Sequence, residues 1–253
     1  PLVGFHDFLS VLITGNIIQA KLAKADNTLI RKIGEILIHI EPLFRDKIQF
    51  VERLDGFDAV IATGSNNTAR YFDQYFGKYP NIIRKNRSSV AIVSEKDGVE
   101  EIKALGKDIF QYYGLGCRSV SKLYFPKGYK IDTFFESILD DFQDITQNNK
   151  YANNYDYNKA VYLMGSNQLL DNGFLLLKEE ASFVSPVGVM NYEFYSSINE
   201  LDNHLSKNKE ELQCVVSSNN SPLKTLAFGE AQCPGLSDYA DGVDTVAFIL
   251  GLQ

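Results

Sequence analysis

Short apolar, β-rich runs alternate with longer stretches of helical periodicity along most of this chain. IIQAKL (17–22) precedes an amphipathic stretch over 27–44, and FDAVIATG (57–64) precedes a helical one over 65–76. A second series follows. SSVAIVS (88–94) leads to a helix over 98–113 with Ile102, Leu105, Ile109 and Tyr112 on one face, and SKLYFP (121–126) leads to a helix over 131–145. Strand–helix–strand order implies parallel sheets, because parallel neighbours need a connection long enough to hold a crossover helix. The chain opens on a further helical stretch, 5–14, stopped by Gly15. Two candidate strands lie in 174–195, a helix in 198–212 and a strand in 214–218. QNNKYANNYDYN (147–158), polar and rich in asparagine, reads as an exposed loop.

Length and composition narrow the class. With 253 residues there is material for one large domain or two that share a core. The chain is 45% hydrophobic and 23% charged, as in ordinary soluble proteins, and no window has the uncharged apolar length of a membrane span. The net charge of −7 argues against general nucleic-acid binding, which needs a basic face. Cys117, Cys214 and Cys233 are odd in number, so no disulfide framework is indicated and a reducing, cytoplasmic setting is expected. His6, His39 and His204 stand apart from the cysteines and from one another, so no metal site is expected. The start at Pro1, without a signal-peptide pattern, reads as the middle of a domain with an upstream segment missing.

Three stretches could carry chemistry. In ATGSNNTAR (62–70) a strand ends at Gly64 and a helix opens at Ser65; free N–H groups at a helix start attract phosphate. A plain N-cap accounts for the same residues equally well. Lys21 and Lys24 leave the end of the 17–22 strand, at the edge where open parallel sheets bind ligands, or they are ordinary surface lysines. Cys117 lies in GLGCRS. Turn N–H groups beside Gly114 and Gly116 could hold an oxyanion, and Arg118 could favour the thiolate. Most free cysteines are instead small core residues, and Cys214 in QCVVSS is read that way. Tyr112 and Tyr113 are expected to cap the core face of their helix.

The order of these pieces is more specific than any one of them. PLVGFHDFLSVLITGNIIQAKL, ATGSNNTAR, NRSSVAIVS and GLGCRSVSKLYFP together resemble the aldehyde dehydrogenase superfamily in sequence and spacing. Within it, GLGCRSVSKLYFPKGY and AQCPGLSDYADGVDT are most similar to the acyl-CoA reductase branch, which includes the fatty-acid reductase of bacterial bioluminescence. The resemblance implies an α/β, aldehyde-dehydrogenase-like fold: a Rossmann-type cofactor domain over 1–87 lacking its N-terminal part, a catalytic domain over 88–225, and a segment, 226–253, returning to the cofactor domain. Both domains would have largely parallel sheets.

The resemblance also implies roles. Cys117 matches the nucleophile, Gly64 and Ser65 the pair near nicotinamide and pyrophosphate, and Lys21 the lysine on the adenosine ribose. Pro1 would follow the oxyanion asparagine. Where aldehyde-oxidising members have the glutamate that activates water, this chain reads Arg84-Lys85-Asn86-Arg87, and Ala69 stands where many relatives have a second glycine. Without that glutamate an acyl-enzyme should persist until a thiol or hydride meets it. Arg84, Lys85 and Arg87 would suit a coenzyme A phosphate, or would simply line a solvated loop. The expectation is an oxidoreductase that reduces an acyl-CoA or acyl-carrier thioester, of the fatty acyl class, to the aldehyde with NADPH, or with NADH. Lys24 is compatible with a 2′-phosphate. The alternatives are a CoA-acylating dehydrogenase working oxidatively and an inactive nucleotide- or acyl-binding protein. Self-association is expected by analogy with the family.

Overall fold

The computed structural model of the protein describes residues 2–218, 223 and 225–252. Pro1 lies outside them, as do 219–222 and 224 of the expected catalytic domain. The chain begins with α1 (Phe5–Ile13), β1 (Ile18–Ala20), α2 (Thr28–Ile40), β2 (Ile48–Phe50), β3 (Val60–Thr63), α3 (Asn66–Phe76) and β4 (Asn81–Arg84). It continues through β5 (Ser88–Ile92), α4 (Val99–Phe110), β6 (Val120–Pro126), α5 (Ile131–Phe142), α6 (Asn149–Met164), β7 (Leu170–Asp171), β8 (Leu176–Glu179) and β9 (Val189–Tyr195). The last elements are α7 (Ile198–Lys207), β10 (Leu212–Ser217), β11 (Leu226–Ala227) and α8 (Thr245–Leu250). They divide into two units, Pro1–Asn86 with Leu236–Gln253, and Arg87–Gly235.

The larger unit is built on a seven-stranded sheet in the order β11-β10-β5-β6-β9-β8-β7, parallel throughout except for the β7–β8 pair. Alternation along β6 feeds two cores. Leu123 and Phe125 pack with Ile102, Leu105 and Ile109 of α4 and Phe134 and Ile138 of α5. Tyr124 faces the other way, with Val90, Ile92 and Leu201 and Leu205 of α7. Each such buried side chain stabilises by about 1.5–3 kcal/mol relative to exposure. Lys122 shares the Tyr124 face and has no exposed surface. Its Nζ donates to the carbonyls of Glu180 (3.0 Å) and Ala181 (2.6 Å) and to Glu193 Oε2 (2.5 Å), which ties the β8–β9 connection to the sheet. Burial lowers its pKa, opposed by Glu193.

The smaller unit holds two parallel pairs, β1–β2 and β3–β4, each joined by a crossover helix. Phe8 and Leu12 of α1, Ile30 of α2 and Ile48 of β2 form its core.

Several expectations need correction. The 27–44 helix stops at Ile40, because Pro42 favours an extended residue before it; Glu41 is extended, and its carboxylate accepts the Leu43 N–H. The 98–113 helix stops at Phe110, and Tyr112 and Tyr113 take left-handed conformations (φ 57° and 60°) that turn their rings to solvent instead of capping the core. The C-terminal boundary moves too. Residues 226–235 belong to the larger unit, since β11 pairs with β10 and the N–H groups of Gly229 and Ala231 bind Asp108.

The largest departure is 147–158, which is mostly helix α6 and not loop. Asn148 caps it by accepting the Tyr151 N–H (3.1 Å). Its buried stripe is Tyr151, Tyr155 and Asn158, spaced four and three apart. Their polar tips bind the Phe174 carbonyl (2.9 Å), Asp171 (2.6 Å) and the Val187 carbonyl (3.0 Å). Gly188 makes the close approach possible: its φ is +80°, and an added Cβ would lie 2.9 Å from Tyr155 Cα. Gly188→Ala should therefore cost about 2–3 kcal/mol, read as a lower urea midpoint.

Candidate active site

Cys117 is exposed on the turn that enters β6 at its amino end. Tyr112, Tyr113 and Gly114 (φ +69°) form a run of left-handed residues that reverses the chain after α4. Non-glycine residues in this region store strain and persist only where their surroundings fix them. The turn itself is closed by Ser119 N–H to the Gly116 carbonyl (3.0 Å). Ser119 Oγ accepts the Gly116 N–H (3.2 Å), and a Cβ on residue 116 would press against that oxygen at 3.2 Å. The Gly116 N–H is thus used inside the turn and is not offered to an oxyanion.

Distant residues hold the same turn. Ser89 Oγ of β5 donates to the Cys117 carbonyl (2.9 Å). Gln232 Nε2 donates to Ser119 Oγ (3.2 Å), and Arg118 Nη1 to the Ala231 carbonyl (3.1 Å). Asp108 of α4, 1% exposed, accepts the N–H groups of Gly229 (2.7 Å) and Ala231 (3.0 Å). Burial pushes its carboxyl up to about 6, against the pull of those two bonds. Cys214 packs against the larger core, as its strand position implies, with Sγ 3.0 Å from Ser89 Oγ, and burial raises its pKa. Cys233 is exposed. A cavity of about 440 Å³ lined by Lys127, Tyr129 and Phe194 lies at the carboxyl ends of β6 and β9, the opposite end from Cys117.

The smaller unit carries the expected cofactor residues. Lys21 is exposed just past β1. Lys24, also exposed, opens a short 3-10 turn. Gly64 follows β3, and Ser65 is the N-cap of α3, its Oγ accepting the Thr68 N–H (3.2 Å). Gly64 is needed for packing and not for φ, since a Cβ there would meet Thr68 and Phe72 at 3.0 Å. Ala69 is wholly buried in α3. The Asn66 and Asn67 N–H groups have no acceptor within the helix. Lys21 and the α3 start thus both lie at carboxyl ends of parallel strands, in separate pairs.

Arg84 corrects the expectation of a phosphate contact. It is 4% exposed and bound within its own unit, to Asp7 Oδ1 (2.9 Å), Thr245 Oγ1 (2.8 Å) and the Ala240 carbonyl (2.6 Å). Arg87 belongs to the larger unit and donates to the Leu212 carbonyl (3.3 Å). Among the described residues no group of His, Cys, Asp and Glu is arranged to hold a metal, and no helix is long and apolar enough to cross a membrane.

Sequence reasoning missed Ser89, Ser119, Gln232 and Asp108. Only Asp108 left a signal: it sits between Leu105 and Ile109 on the apolar face of a helix, where an acid is costly unless bonded.

No protein-family model matches the sequence, and no curated protein matches it. Solved structures do. Aldehyde dehydrogenase 21 from Physcomitrella patens, in complex with the reaction product succinate, is similar over 98% of this chain and 63% of its own, with a TM-score of 0.71 and 14% identity. This chain has an aldehyde dehydrogenase fold. Staphylococcus aureus AldH in a substrate-bound state matches 86% of this chain and 55% of its own (TM-score 0.58, 14% identity). The Delta-pyrroline-5-carboxylate dehydrogenase of Mycobacterium tuberculosis matches 85% and 48% (TM-score 0.59, 14% identity). The chain spans less than two-thirds of each of these three aldehyde dehydrogenase folds.

Proposed function

We propose that the protein is an oxidoreductase that reduces an acyl-CoA thioester, of the fatty acyl class, to the aldehyde through an acyl-Cys117 intermediate. The observation that carries this reading is an exposed thiol on a turn fixed by Ser89, Ser119 and Gln232, within an aldehyde dehydrogenase fold. The smaller unit fits a nicotinamide dinucleotide. The Asn66 and Asn67 N–H groups at the start of α3 would receive the pyrophosphate, and Lys21 a ribose hydroxyl. Lys24, three residues on, is compatible with a 2′-phosphate, so the cofactor proposed is NADPH, with NADH as the alternative.

Cys117 Sγ attacks the thioester carbonyl, the bond to the coenzyme sulfur breaks, and the coenzyme leaves as its thiol. The segment 84–87 carries no carboxylate to activate water, and its Arg84 is ion-paired inside its own unit. The acyl-cysteine is therefore kept for reduction. A nicotinamide dinucleotide, when bound, would supply the hydride to the Cys117 acyl carbon. The resulting Cys117 thiohemiacetal collapses, releasing aldehyde and restoring the thiolate. Self-association and a cytoplasmic setting complete the proposal.

The test is incubation with acyl-CoAs of graded chain length and no nicotinamide. The expected result is acyl mass on the peptide containing Cys117, followed by aldehyde release when NADPH is added. Absence of the adduct at every chain length rejects the reading.

A further inference from the structure

The 229–232 segment touches the cysteine turn at two points and α4 at two others. On one side, the Ala231 carbonyl takes Arg118 Nη1 and Gln232 Nε2 reaches Ser119 Oγ, which in turn holds the Gly116 N–H. On the other, both oxygens of Asp108 are occupied by the Gly229 and Ala231 N–H groups. Ala231 has no exposed surface, so its N–H has no water to turn to. Helix α4 thus reaches the residue next to Cys117 through two short relays.

We propose that Asp108 is a positioning residue for Cys117, acting through residues 229–232 to set the geometry of the Gly116–Ser119 turn. The inference rests on the reading of Cys117 as the working thiol. An ionised carboxylate accepts at both oxygens, whereas a protonated one turns one oxygen into a donor facing an N–H group. The relay is then complete only while Asp108 is charged. Burial places that change at about 6. The charged groups facing Asp108 are Glu230, which raises this value, and Lys107, which lowers it. Arg118 and Cys214 share the same neighbourhood, and Cys214, with its raised pKa, stays a neutral thiol through this range.

Two variants test the relay. Asp108→Asn keeps the shape but offers one acceptor and one amide donor, so one of the two N–H groups loses its bond. Gln232→Ala leaves Asp108 untouched and cuts one of the two relays. The measurement is the rate of iodoacetamide alkylation of Cys117, followed by mass spectrometry from pH 5 to pH 9 on protein with intact circular dichroism.

For the parent chain we expect a step near pH 6 in addition to the thiol's own titration. Asp108→Asn should lose that step and differ from the parent at pH 8 by about fivefold or more. Gln232→Ala should show a smaller step. A merely structural Asp108 would lower the unfolding midpoint without moving this profile. A folded Asp108→Asn with the parent profile overturns the proposal; if that variant does not fold, a full-sized step in Gln232→Ala overturns it. Iodoacetamide requires neither acyl-CoA nor nicotinamide, so failure here and failure of the acyl-transfer reading are separate results.

Discussion

Cys117→Ala is expected to abolish acyl-adduct formation and aldehyde production together, lowering turnover by about 10⁴-fold or more. The size follows from the proposed chemistry, in which the thiol forms the bond that splits thioester reduction into two steps. Cys214, the nearest alternative, is partly buried against Ser89, and burial raises its pKa, so it stays a weakly nucleophilic thiol. Cys214→Ser should keep the adduct on Cys117. Cys233 is exposed but sits on the 229–233 segment, its N–H bonded to the Glu230 carbonyl. Cys233→Ser should likewise keep the adduct. Cys117→Ser should be nearly as inactive as the alanine variant, because a serine hydroxyl is far less acidic than a thiol and stays protonated. The measurement is intact-mass analysis after acyl-CoA addition. Acyl mass persisting in Cys117→Ala, on either other cysteine, would move the chemistry away from the β6 turn.

The fold was legible where side chains obey a simple period. The apolar runs at 57–64, 88–94 and 121–126 hold β3, β5 and β6, and the faces of α2, α4 and α5 follow helical spacing. Strands β2 and β4 were not legible: β3 is as short as β4 but lies in the apolar run 57–64, whereas Lys47 and Glu52 bracket β2 and Asn81 and Arg84 end β4, which leaves no apolar run to read. Helix α6 was hidden for a different reason. Its buried stripe is tyrosine and asparagine, which bury rings and stems while their polar tips find partners, so hydrophobic periodicity does not register them.

The candidate site divides the same way. Cys117, Gly64, Ser65 and Lys21 are local features whose order along the chain carries a resemblance. What holds Cys117 in place comes from elsewhere: Ser89 is 28 positions away, and the Gln232–Ser119 bond spans 113. Nothing in GLGCRS encodes those partners. Arg84 was misread because three basic residues in four look like a phosphate-binding surface in sequence. Whether an arginine faces solvent depends on a carboxylate 77 positions earlier and a hydroxyl 161 positions later.

Arg84→Ala is accordingly expected to act on stability, with a loss of about 4 kcal/mol. The guanidinium links β4 to α1 through Asp7 and to the C-terminal segment through Ala240, Asp241 and Thr245, all within the smaller unit. Alanine removes every one of those bonds and leaves Asp7 and Asp241, whose side chains are 16% and 10% exposed, without their shared cation. A buried pair that loses one partner costs more than the pair contributes, because the remaining charge is poorly hydrated. Arg84→Lys should lose about half as much: its single ammonium keeps the charge but cannot span acceptors on opposite sides of a planar fork. Urea unfolding followed by circular dichroism reads both values. A phosphate-binding Arg84 predicts the reverse pattern, an unchanged midpoint with weaker coenzyme A binding, so a parent-like melt for Arg84→Ala would return this residue to the ligand surface and reopen the role of the whole 84–87 segment.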